Sequence, residues 1–190
     1  MKVPVQTAEI FKILSKGQFI SSNSSDKNVS NLYNIIEDEQ HFEELYEYFV
    51  KINFILERGD EYFYFSRPET NVNLEKKIEK AFEWIDIIDF FKTYDNAFSA
   101  GIRFSPADIL SRIKTDAELE TKLESLKKHT DKTKHQDILE RILKKLSDDT
   151  FIELENEITN QYKVLASFKY LEQLILTINI PEDVANEIPE

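Results

Sequence analysis

The stretch Phe54-Ile55-Leu56-Glu57-Arg58-Gly59-Asp60-Glu61-Tyr62-Phe63-Tyr64-Phe65 holds two β-prone runs around a polar, glycine-bearing turn. Branched and aromatic side chains suit a pleated surface, and a short break containing glycine between two such runs predicts a hairpin. Immediately upstream, Phe42, Leu45, Tyr46, Phe49 and Val50 recur at i, i+3, i+4, i+7 and i+8. That is the spacing of one helix face, and the opposite face carries Glu43, Glu44 and Glu47. An earlier helix passes through Leu32, Tyr33, Ile35 and Ile36. Another holds Ile10, Phe11, Ile13 and Leu14, with Gly17 suited to its stop. Phe19 to Ser30, rich in Ser and Asn, are expected to form an exposed loop. Three helical segments and a hairpin, ended by Pro68, make the pattern of a winged-helix domain.

The same plan recurs downstream. Leu74, Ile78, Ala81, Phe82, Ile85 and Ile88 share one helical face, and Trp84, Ile87 and Phe90 widen the apolar arc beyond a surface helix's need. Ser105-Pro106-Ala107-Asp108 is a helix start, with Ser at the cap and Pro at the first helical position; Ile109, Leu110 and Ile113 continue it. Leu119, Leu123 and Leu126 mark a further helix, a polar connection spans His129 to His135, and Ile138, Leu139, Ile142, Leu143 and Leu146 form an amphipathic stripe. Phe151–Leu154 and Tyr162–Leu165 flank a second turn at Asn156 to Asn160. A last stripe runs through Phe168, Leu171, Leu174, Ile175 and Ile178. The expected fold is mainly α with short β-hairpins (α+β). It comprises tandem winged-helix domains at about 1–70 and 71–180, a boundary near Pro68 to Asn73, and a loose acidic tail at 181–190. The apolar faces of Trp84–Phe91 and of the final stripe are either core or the places where the two units, a twin subunit or a partner peptide meet.

Composition excludes more than it selects. The 190 residues carry 24 Lys+Arg against 36 Asp+Glu, a net charge of −12, which argues against coating nucleic acid or anionic membrane with the whole surface. No cysteine is present, so disulfides, thiolate nucleophiles and the common zinc-finger ligand sets are excluded. The three glycines, Gly17, Gly59 and Gly101, are too dispersed for a phosphate-cradling loop. His41, His129 and His135 lack metal-ligand spacing and are expected on the surface. The carboxylates of Glu37-Asp38-Glu39 and Asp148-Asp149 fit solvated helix ends or loops. Neither a membrane span nor an apolar leader is visible, which points to a soluble, cytoplasmic protein. The sequence predicts no enzyme, no metal and no cofactor.

Charge placement is the positive signal. Between Lys122 and Lys145 lie eight basic residues, Lys122, Lys127, Lys128, Lys132, Lys134, Arg141, Lys144 and Lys145, against four acids. In a winged-helix domain the helix before the hairpin is where recognition residues sit. Arg141, Lys144 and Lys145 lie off the apolar stripe, within reach of phosphates. An ordinary solvated helix face is the competing reading. Residues 37–47 of the first unit hold six acids and no Lys or Arg, so DNA contact is expected from the second unit alone.

Gly59-Asp60-Glu61-Tyr62-Phe63-Tyr64-Phe65-Ser66-Arg67-Pro68 resembles the first-wing signature of the MukE/MksE family. Tyr162-Lys163-Val164-Leu165-Ala166-Ser167-Phe168-Lys169-Tyr170 is similar to its second-wing strand running into the last helix. The resemblance implies a non-catalytic, kite-type subunit of a bacterial condensin-like SMC complex, in chromosome organisation and segregation or in the related plasmid-defence branch. It also implies a homodimer that clasps the kleisin subunit beside the SMC ATPase at the nucleoid. Double-stranded DNA would be touched weakly, or only within the complex, through the positions matching the family's contacts: Lys134, Arg141, Lys144 and Lys145. Two departures stand out. Longer members continue with basic residues where this chain has Pro181-Glu182-Asp183, and the second wing is acidic (Asp148, Asp149, Glu153, Glu155, Glu157), which opposes close approach to phosphate. The alternative from another class is a dimeric winged-helix transcriptional regulator, which would bind a specific site alone at about 10⁻⁸ M or tighter.

Overall fold

The structure, a computed structural model, describes residues 3–66 and 74–178, and the side chains of all of these except 74–79, 177 and 178. The chain is mainly α, with short antiparallel hairpins. In the N-terminal half, α1 (Thr7–Leu14), α2 (Lys27–Glu37) and α3 (Glu39–Val50) surround a sheet of β1 (Ile20–Ser21), β2 (Ile55–Gly59) and β3 (Tyr62–Ser66) in the order β1-β3-β2. The C-terminal half holds α4 (Leu74–Tyr94), β4 (Arg103–Phe104), α5 (Pro106–Ile113), α6 (Ala117–Ser125), a 3₁₀ turn at Leu126–His129, and α7 (His135–Asp148). These are followed by β5 (Ile152–Asn156), β6 (Gln161–Val164) and α8 (Phe168–Ile178), and the sheet order is β4-β6-β5.

Local chemistry explains the element ends. Asp26, Asp38, Ser105 and Asp116 each accept a backbone N–H two or three residues on, capping α2, α3, α5 and α6. Asp38 is therefore a structural cap. Gly17, at φ 80°, ends α1 with its N–H on the Leu14 carbonyl. At the first hairpin the left-handed residue is Glu61 (φ 66°). Gly59 is required for another reason: the Tyr62 ring fills the space where its Cβ would stand.

The N-terminal sheet is covered on both faces, and this organises the molecule. Side chains alternate along a strand. Ile20 and Phe63, which pair in register, are fully buried with Ile10, Leu14, Leu32, Ile36, Leu45 and Phe49. Phe19 and Tyr62, one residue along, point the other way and join the C-terminal core with Trp84, Phe151 and Phe168. The Phe19 ring centroid lies 5.0 Å from that of Phe151, 5.2 Å from Tyr170, and 5.6 Å from both Tyr62 and Tyr64. Burial, with Tyr64 and Tyr170 alongside, pushes the Tyr62 phenol up to about 12, so it stays a neutral packing group.

Phe19 to Ser30 are therefore not an exposed loop. Phe19, Ile20 and Ser21 are buried, α2 already begins at Lys27, and the polar side chains between them bond the other half of the chain. Asn23 Nδ2 donates to the Val164 carbonyl at 3.1 Å, and its Oδ1 accepts from the Ala166 N–H at 2.8 Å. The Asn23 carbonyl accepts from Lys163 Nζ. The Phe19 N–H donates to Thr150 Oγ1 at 2.6 Å, and the Ser167 N–H donates to Ser21 Oγ at 3.2 Å. Ser24 Oγ donates to Glu153 at 2.8 Å. Composition marked this segment as polar; its hydrogen-bond partners in the other half lie 128 to 146 residues away, beyond any local signal.

The broad apolar arc of α4 is core. Trp84, Ile87, Ile88, Phe90 and Phe91 are buried, whereas Phe82, expected on the packed face, is 56% exposed. On α8, Phe168 and Leu171 are buried and Leu174 and Ile175 pack against them. The same helix reaches the first hairpin: Lys169 Nζ bonds Asp60 at 2.8 Å and Glu61 at 2.6 Å, and the Tyr62 hydroxyl lies 3.4 Å from Gln173 Oε1. On α3 Leu45 and Phe49 are buried, but Tyr46 and Val50, expected on the same packed face, are exposed. The expected Arg67-Pro68 end of the first hairpin, the boundary near Pro68 to Asn73 and the tail at 181–190 lie outside the described residues, as do the side chains of Leu74, Ile78 and Ile178.

Phe19→Ala is expected to cost about 3–5 kcal/mol, the range for a fully packed phenylalanine. Asn23→Ala is expected to cost about 1–3 kcal/mol by leaving backbone groups unpaired. Urea unfolding followed by Trp84 fluorescence measures both; a cost below about 1 kcal/mol for Phe19→Ala would contradict the packing described.

Candidate nucleic-acid interface

The basic segment folds as α6, the 3₁₀ turn and α7. Ile138, Leu139, Ile142, Leu143 and Leu146 bury one side of α7, as their spacing requires, which turns Arg141 and Lys144 outward. Lys134 occupies the N-cap position without a side-chain cap bond and is exposed. Lys134, Arg141 and Lys145 follow at i, i+7 and i+11, so they share one side of the helix, with Lys144 beside them.

The four are not equivalent. Lys144 Nζ pairs with Asp148 at 2.8 Å, one turn along the helix. Lys145 pairs with Glu83 of α4, and its ammonium stands 4.9 Å from the Trp84 ring centroid. Among the described residues Lys134 and Arg141 have no carboxylate within ion-pair distance. Arg141 and Lys145 line an open cleft of about 270 Å³ together with Lys80, Glu83, His129, Asp148 and Asp149. Burial raises the Asp149 carboxyl above the ordinary aspartate value, against the pull of Lys80 and Lys145.

Sequence reasoning missed the carboxylates that face this patch. Glu83, Asp86 and Asp89 recur every third residue on α4. Asp86 accepts from Lys128 at 2.7 Å and from His129 Nε2 at 2.8 Å, and Asp89 pairs with Lys122 at 2.5 Å. Lys127 pairs with Glu124 at 2.7 Å. His129 is consequently a half-buried, bonded side chain rather than a free surface histidine. The i, i+3 spacing on α4 was the available signal, hidden among the apolar residues of that helix.

Two acids of the second hairpin, Glu153 and Glu155, are also engaged. Glu153 accepts from Ser24 and from the Ser25 N–H at 2.7 Å, while Glu155 accepts from Arg103 Nε at 2.5 Å and Nη2 at 2.8 Å. They face the Asn23–Ser25 segment, not a ligand approaching the hairpin. Chemically, the surface offers cations for phosphate. Among the described residues no group of His, Asp and Glu could hold a metal ion, and no helix is long and apolar enough to cross a membrane.

Burial works against the Asp86 charge, but the bonds from Lys128 and His129 outweigh it and hold the carboxyl below its ordinary value. A lowered folded-state value contributes stability above the unfolded value of about 4, and that contribution fades as pH falls through the lowered one. Asp86→Asn should therefore cost about 1 kcal/mol at neutral pH, with the gap to the parent closing below about pH 4. Denaturant titrations across this range measure it; a gap that persists in acid would contradict the ion-pair origin.

Compared with models of known families, the chain matches that of the condensin complex protein MksE over residues 5–175. No curated protein matches it. The match takes in both sheets, the Phe19–Ser25 segment between them and the whole of α7, so the chain belongs to the MksE family of condensin complex proteins.

Proposed function

We propose that this condensin complex protein is a non-catalytic, kleisin-binding subunit of a bacterial SMC complex, acting in chromosome organisation or in plasmid defence. It consists of two winged-helix domains dividing near residue 70, pairs with a second copy, and sits beside the SMC ATPase at the nucleoid. Lys134, Arg141, Lys144 and Lys145 supply a weak contact to double-stranded DNA. The observation that carries the reading is the family match over 5–175, taken with a helices-then-hairpin plan that occurs twice in one chain.

Charge and packing support the details. At −12 overall, with several of its basic residues matched to carboxylates, the chain attracts DNA weakly on its own. Tethering in a complex raises the effective concentration of such a surface without any new bond. The same pairing counts against a free-standing regulator, which needs strong phosphate contacts to reach the affinity of a specific site. Kleisin capture requires a groove or helix face for a peptide and no catalytic pocket.

The variant Lys134→Glu/Arg141→Glu/Lys144→Glu tests the DNA-binding role. Lys145 is spared because reversal there would set two carboxylates together beside Trp84. DNA affinity of the reconstituted complex should fall about tenfold or more, and its salt dependence should flatten by about one unit of slope for each phosphate no longer neutralised. Kleisin affinity should stay unchanged in the same titrations. Undiminished DNA binding would remove these residues from the interface.

A further inference from the structure

Three lysines of the basic patch, Lys122, Lys128 and Lys145, are matched by carboxylates from a different helix. On α4, Glu83 holds Lys145, Asp86 holds Lys128 and His129, and Asp89 holds Lys122. Each acid follows the last by three residues, so they climb α4 at about 4.5 Å per step. Trp84, Ile87, Ile88 and Phe91, interleaved with them, are buried and fix the helix in place. The acids are thus held by the core, while their partners extend from α6, the 3₁₀ turn and α7. Side-chain exposure runs from 17% at Glu83 to 50% at Asp89, so the pairs stand at a water-accessible edge where a second anion can compete. The lowered value of the Asp86 carboxyl agrees with a pair that is made in the folded chain.

We infer that the carboxylate edge of α4 is an internal competitor of DNA phosphate, holding Lys122, Lys128 and Lys145 in ion pairs that must open before they can bind DNA. The inference rests on the DNA-binding role proposed above and adds a regulation to it. A lysine already neutralised by a carboxylate gains little by moving to a phosphate, and the abandoned carboxylate then recruits a cation from solution. Fewer counterions are released overall, so binding is weaker and less dependent on salt than the count of basic residues suggests. Lys134 and Arg141, without carboxylate partners among the described residues, engage DNA first; the paired lysines join only where DNA is held at high local concentration. Exposed pairs are individually weak, so this restraint is one that a tethered duplex can overcome.

The test uses the full chain and a short fluorescent DNA duplex, followed by anisotropy over a range of salt. Glu83→Gln/Asp86→Asn/Asp89→Asn should bind at least about fivefold more tightly than the parent, with a steeper salt slope by about one to two units. A control, Glu43→Gln/Glu44→Gln/Glu47→Gln, changes net charge equally on α3 and should stay within about twofold of the parent. Asp89→Asn alone, at a half-exposed position, should give a smaller gain in the same direction and serves if the triple variant fails to fold. A triple variant that binds no tighter, or a control that gains as much, overturns the inference. Adding Arg141→Glu to the triple variant separates the two proposals. If the gain persists undiminished, the internal competitor stands and the assignment of Arg141 falls.

Discussion

Phe19, seated among Tyr62, Tyr64, Phe151 and Tyr170, ties the two halves of this protein into one body. Its neighbour Ile20 is fully buried in the other core, so two consecutive residues anchor two different hydrophobic clusters. The strand alternation that produces this leaves the backbone no freedom to shift by one residue without reversing both. Around the ring, Asn23, Ser21, Ser24 and Thr150 satisfy backbone and carboxylate groups of both halves. The first hairpin is thereby committed: one face covers the N-terminal helices and the other meets α8, with its turn held by Lys169. A hairpin so occupied is a structural joint. In the second hairpin Glu153 and Glu155 face the Ser24–Ser25 segment, while Arg141 and Lys144 of α7 point to solvent.

Charge follows the same logic of cross-bracing. The patch that is conspicuous in sequence is partly spent on α4, so its electrostatic reach is shorter than the count of lysines implies. In a condensin complex protein this is physically coherent. If the proposed DNA contact holds, a surface that bound DNA strongly by itself would draw the subunit away from its assembly, whereas a weakly attractive one would act where the complex places it.

Much of the fold was legible locally. The aromatic runs around Gly59, the Ser105-Pro106 start of α5 and the stripe of α7 each carry their signal within a dozen residues. The missing strands β1 and β4 are two residues long, too short for any period to show. The Phe19–Ser25 segment has loop composition because its polar groups bond partners 128 to 146 residues away. The candidate site divides in the same way: charge counting finds the basic segment, but which of its cations are neutralised depends on acids that reach Lys122 and His129 across 33 and 43 residues. Long-range pairing is invisible to a reading of one segment at a time.

The central claim, that this chain works as one subunit of a condensin assembly, is tested most directly by affinity purification of the tagged protein from its native host with identification of what accompanies it. The account predicts a large coiled-coil ATPase and a kleisin-like protein in the same fraction. Recovery of the protein alone, or with a single promoter fragment, would contradict it.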